Sequence, residues 1–165
     1  MKSRNNSHNS PMMSAAKRAL ETGNAHHILV WIPEESENTL KNLLERAHCE
    51  RTTGKDAHNH TVDWYFETIN RLHSMYYGPH NLSISTKLPE EKAIILLVER
   101  ACESGNFEEI TTVISDTSAG EMRQRFNDVI KKRDYGVDNI ATGRVYVSAF
   151  TDFIAFVCNL RSGSL

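Results

Sequence analysis

Glu67 and His73 form the pair in this chain best suited to chemistry. A carboxylate and an imidazole can exchange a proton, or can hold a divalent metal together with further ligands. Both fall in the run His58 to Tyr77, where Val62, Tyr65, Phe66, Ile69, Leu72, His73 and Tyr76 recur at helical spacing. On such a helix, positions 67 and 73 stand roughly 120° apart around the axis and about 9 Å apart along it. They cannot clasp one ion as an i, i+4 pair can, so a metal site built on them needs groups from another helix. The structural alternative is a buried Glu–His contact that fixes helix register, since buried polar groups are normally hydrogen-bonded.

The other candidates carry less. His26-His27, His48-Cys49 and His58-Asn59-His60 have no Cys or carboxylate partners at zinc-site spacing. His-Asn-His is the tripeptide of a nuclease class whose metal hairpin needs a strand, and the pattern around it here is helical. His48 and Cys49 are adjacent, so on a helix their side chains diverge and cannot act as base and nucleophile. Cys102 and Cys158 lie on apolar stripes and read as small core residues. There is no Gly-x-Ser-x-Gly and no phosphate loop. The chemistry leans away from an enzyme.

The elements that position these residues repeat. Arg18-Ala19-Leu20-Glu21-Thr22-Gly23-Asn24 returns 82 residues later as Arg100-Ala101-Cys102-Glu103-Ser104-Gly105-Asn106. At the same offset Ile28 meets Ile110, Leu40 meets Met122, Leu44 meets Phe126, Ala47 meets Val129 and Trp64 meets Tyr146, without a gap. Gly-Asn recurs for a physical reason. Glycine ends a helix cheaply in the left-handed conformation, and asparagine caps the helix that follows. Two copies are too few for a solenoid. The expectation is an all-α bundle of two pseudo-symmetric helical repeats, about 11–78 and 89–160, with a linker at 79–88 and tails at 1–10 and 161–165. Pro11 and Pro89 open the copies as first-turn prolines. Leu40, Leu43, Leu44 and Ala47 form one apolar stripe. Ser118-x-x-Glu121 reads as a capping box, and Asp138 as the cap of the last helix. Trp64, Tyr65, Phe66, Tyr76 and Tyr77, with Tyr146, Phe150, Phe153 and Phe156, are expected in a shared core, and a pocket between the copies is the expected ligand site. Trp31 and Tyr76-Tyr77 could instead face a partner subunit.

The chain has 165 residues, 19 basic and 21 acidic, a net charge of −2. That balance lacks the basic face of a general nucleic-acid binder. The three scattered cysteines suit reduced thiols in a cytoplasmic protein. The longest purely apolar run, Ala93 to Val98, is far short of a membrane span, and residues 1–10 have no apolar core, so no membrane partner is expected.

Pro11 to Asn24, Val30-Trp31-Ile32-Pro33-Glu34, Trp64-Tyr65-Phe66-Glu67-Thr68 through His73, and Gly143-Arg144-x-Tyr146-Val147 through Ile154 together resemble a bacterial family of small helical proteins of unknown function. Its members often carry His-Cys-Asp before the first helix, Phe-Glu-Thr followed by His on the long helix, and a second His late in the last helix. That set is similar to a metal-ligand collection. Here Glu67 and His73 match the pattern, Arg4, Asn5 and Asn6 stand where His-Cys-Asp would be, and Ala155 stands at the late His. The resemblance therefore implies a degenerate relative of a metal-binding family. The reading that follows is a non-enzymatic helical binding or interaction module. The alternatives are a divalent-metal protein using Glu67 and His73, and a structural homodimer.

Overall fold

The computed structural model describes residues 10–53, 60–78, 89–114 and 118–162. The linker 79–88 and positions 4–6, 54–59 and 163–165 lie outside them. All regular structure among the described residues is helical. The first half holds α1 (Pro11–Thr22), α2 (His26–Leu29), a 3-10 turn at Glu34–Ser36, α3 (Glu37–Thr52) and α4 (His60–Tyr77). The second holds α5 (Pro89–Ser104), α6 (Glu108–Thr111), α7 (Ala119–Lys132) and α8 (Ile140–Ser162). Within the first half α1, α3 and α4 pack on one another, and within the second α5, α7 and α8 do the same.

Local chemistry explains the helix ends. Ser10, assigned from the sequence to the tail, caps α1: its Oγ accepts from the Met13 N–H at 3.2 Å, and Pro11 follows in the first turn. Gly23 (φ 72°) and Gly105 (φ 76°) both adopt the left-handed conformation, and each donates its N–H over 2.8 Å, to Ala19 and Ala101 respectively. Beyond each glycine two side-chain bonds recur. The Asn24 N–H donates to Thr22 Oγ1 (3.2 Å), and the Asn106 N–H to Ser104 Oγ (3.2 Å). Asn24 Oδ1 then accepts from the His26 N–H (3.0 Å), and Asn106 Oδ1 from that of Glu108 (3.2 Å).

Two expected caps are corrected. Ser118 makes no side-chain cap bond, and Glu121 pairs with Arg125 at 2.7 Å instead of reaching back. Asn139, not Asp138, caps α8: its Oδ1 accepts from the Thr142 N–H at 3.2 Å, which frees Asp138 to meet His26 across the fold. The short helices α2 and α6 make one turn each, and Val30, Trp31 and Ile32 beyond α2 remain buried.

Aromatic, ionic and hydrogen-bonded contacts tie the halves together among the described residues. Trp31 lies edge-on to Tyr146 and Phe150, with ring centres 6.2 and 5.9 Å away. Arg144 Nη2 donates to Glu37 Oε1 at 2.6 Å. His26 Nδ1 meets Asp138 Oδ1 at 2.8 Å. The aromatic core differs from expectation at two places: Tyr65, Phe150 and Phe153 are buried, but Trp64 and Tyr76 are exposed. Trp31, a candidate for a partner-facing residue, is instead 3 % exposed. The helix α8 is long and apolar enough to cross a membrane by length and composition. Val147, Phe153, Ile154 and Val157 on it are buried in the core, where α8 packs on α5 and α7.

Candidate functional site

The residues singled out from the sequence separate in space. His73 is buried on the inner face of α4, and Glu67 is exposed on its outer face. The His73 ring stands 5.8 Å from Trp31 and 4.8 Å from Tyr77, centre to centre. Its Nδ1 lies 2.8 Å from the Trp31 carbonyl oxygen. A carbonyl only accepts, so Nδ1 carries the proton and donates it, and Nε2 of the neutral ring keeps its lone pair. The bond also satisfies a carbonyl left open where the chain leaves α2, so His73 holds the Trp31 segment in place.

Burial lowers the His73 pKa below 6.5, and the bond to the Trp31 carbonyl raises it by less. The unfolded chain therefore takes up a proton more readily than the folded one. Stability held above about pH 6.5 falls as the pH drops through that value toward the lowered folded pKa. The half-buried His27, lowered first by burial and then by Arg18 and His26, adds a slope of the same sign. Denaturant midpoints measured from pH 7.5 down to pH 5 should fall, and His73→Gln should flatten that fall; an unchanged slope in the variant would place its origin elsewhere.

His26 and His48 also have structural partners. His48 Nδ1 donates to the Leu20 carbonyl at 2.7 Å, closing the end of α1. Its Nε2 sits 3.2 Å from where a Cβ on Gly23 would stand. Cys49 points elsewhere and is exposed, while Cys102 and Cys158 are buried. Burial pushes the Cys102 thiol up to about 12. With a thiol dye at about pH 8, only Cys49 should label in the folded protein and all three cysteines in denaturant. Rapid native labelling of Cys102 would contradict this packing. His60 is exposed at the start of α4, and His58 lies outside the described residues. Ala155 is half-buried on α8. Among the described residues no three His, Cys, Asp or Glu side chains gather as metal ligands.

Two surfaces remain as places for recognition. One is an open groove of about 730 Å³ between α7 and α8, where acids and bases alternate: Glu121, Asp128 and Asp152 with Arg125, Lys131 and Lys132. It lies within the second half, not between the halves where a pocket was expected. The other is the outer face of α4. Trp64 is 52 % and Met75 77 % exposed there, and the stripe between them carries Glu67 and Arg71; Tyr76, 60 % exposed, lies about 100° further round the helix. Helical periodicity missed this face because α4 has apolar residues on more than one side. The excess of large apolar residues over what one buried stripe needs was the signal available in the sequence.

A family model described as a family of unknown function (DUF6448) matches residues 9–156. No curated protein and no solved structure matches the chain. The family match covers nearly the whole of the helical framework, from the cap of α1 to the last turns of α8, and the chain belongs to this family of unknown function.

Proposed function

We infer that this protein is a non-catalytic interaction module of the cytoplasm, working without nucleic acid or membrane, whose recognition surface is the outer face of α4. One observation carries the reading: Trp64 and Met75 stand exposed on one face of a single helix. Large apolar side chains clustered on a surface mark contact sites more often than chance exposure does. The polar groups that could have done chemistry support the same reading, because His73, His48 and Arg144 are engaged in holding the fold.

The two halves are read as copies of one unit. Support comes from the two matching side-chain bonds at the Gly23 and Gly105 joints. It comes also from shared burial at Ile28 and Ile110, Leu40 and Met122, and Leu44 and Phe126.

A photo-reactive residue placed at position 64 or 75 tests the interaction reading. Expected are cross-linked adducts in cells from both positions and none from Gln124 on α7. Adducts from position 124 alone, or from no position, would remove α4 as the recognition face.

A second reading, a divalent-metal protein, keeps only His73 of the expected Glu67–His73 pair, because Glu67 faces the other way, and has one favouring observation. A histidine that donates Nδ1–H to a backbone carbonyl is oriented as metal-binding histidines are, with Nε2 available. Tag-free protein should then hold about one metal per chain and lose it in His73→Ala, with a chelator-sensitive melt. Metal-free protein with an unchanged melt would sink this reading.

A further inference from the structure

We propose that the outer face of α4 pairs with the same face of a second copy, the two helices antiparallel across a two-fold axis near Ile69. The inference rests on the interaction reading above and names the partner. Four residues set the geometry. At about 100° per residue, Glu67, Arg71, Trp64 and Met75 fall within an arc of about 80° on one side of the helix. All four are exposed. Trp64 and Met75 bracket the stripe, about 16 Å apart along the axis, and Glu67 and Arg71 lie between them.

This arrangement is complementary to itself. In an antiparallel pair centred near Ile69, Trp64 of one copy meets Met75 of the other, and Met75 meets Trp64. Glu67 meets Arg71 of the second copy, and Arg71 meets Glu67. A parallel pair would set Glu67 against Glu67 and Arg71 against Arg71, which repels. Charge therefore selects one orientation, and a two-fold interface requires that kind of self-matching. Neither Glu67 nor Arg71 has an ion-pair partner among the described residues, whereas Glu21, Glu37, Arg100, Arg125 and Arg144 all do. The sulfur of Met75 against an indole is a favourable contact that adapts to imperfect fit.

The stripe spans about three turns. A single helix pair of that length buries less than the standard interface of about 1,600 Å², so the dimer is weak and concentration-dependent.

Sedimentation equilibrium of the full chain, from roughly 1 μM to 1 mM, tests the proposal. A monomer–dimer equilibrium is expected. Glu67→Arg sets a second guanidinium against Arg71 of the other copy and should raise Kd by about tenfold or more, and Arg71→Glu should do the same by opposing two carboxylates. The double exchange E67R/R71E restores opposite charges and should return Kd to within about threefold of the parent. All four side chains are exposed, so the variants should keep the parent melt, which circular dichroism checks. A chain that stays monomeric at the highest concentration overturns the proposal. So does a dimer indifferent to both reversals, or one that the double exchange fails to rescue. If self-association is absent while positions 64 and 75 still cross-link to other proteins, this inference fails and the interaction reading stands. If both are absent, both fail.

Discussion

Trp31→Ala is expected to lower the stability of this protein by about 3–5 kcal/mol. Trp31 is 3 % exposed and packs on rings from both halves: His73 of α4, and Tyr146 and Phe150 of α8. Truncation removes the indole and leaves a cavity that those rings cannot collapse into, because α4 and α8 are each held by their own half. For a chain of this length the melting temperature should fall by about 6–20 °C. Trp31→Phe should cost less than half as much. Phe keeps most of the ring contacts, and it removes the Nε1–H, which is buried without a hydrogen-bond partner among the described residues. Trp64→Ala is the control. At 52 % exposure it should change the stability of the monomer by no more than about 0.5 kcal/mol. Thermal melts of the three variants at low protein concentration decide the matter. Equal losses at positions 31 and 64 would show that Trp31 is not the seam between the halves.

The second large effect is expected at Gly143. A Cβ added there would clash with Val30 Cγ1 and would lie 2.8 Å from the Tyr135 ring. Both obstacles are packed: Val30 is fully buried, and Tyr135 lies against Tyr146, with ring centres 5.5 Å apart. Gly143→Val should therefore push the first turn of α8 off the α2 segment and cost about 1–3 kcal/mol or more. Displacing that turn also strains the Arg144–Glu37 bond one residue on, so the loss should exceed that at an exposed helical glycine. Gly120 supplies the comparison, since an added Cβ there meets nothing within 4 Å. Gly120→Ala in the first turn of α7 should be neutral, or stabilising by up to about 1 kcal/mol from helix propensity. Denaturant midpoints at the two positions measure the contrast. A tolerated valine at 143 would mean that the halves do not approach closely there.

The features legible in the residues alone are local ones. The Gly-Asn joints at 23–24 and 105–106 could be read because backbone conformation at a helix end depends on the glycine and its neighbours alone. The stripe Leu40, Leu43, Leu44 and Ala47 could be read because α3 has a single apolar face, and all four residues are buried. Burial of Cys102 and Cys158 followed from the same periodicity.

Long-range packing fixed the rest. α4 carries Tyr65, Ile69 and His73 on one side and Trp64, Met75 and Tyr76 on others, so its own pattern admits several rotations. Packing against α1 and α3 chose the one that buries the first set, with the Tyr65 hydroxyl bonded to the Ala16 carbonyl at 3.0 Å. That choice sent Glu67 outward and His73 inward, and it separated the pair that the sequence had set together. Asp138 likewise served as a partner for His26, 112 residues away, once Asn139 had taken the cap. Gly143 has no local reason to be glycine; its reason is Val30, which only the fold brings near. Periodicity records which residues share a face, but which face turns inward depends on neighbours far along the chain, and no local pattern carries that information.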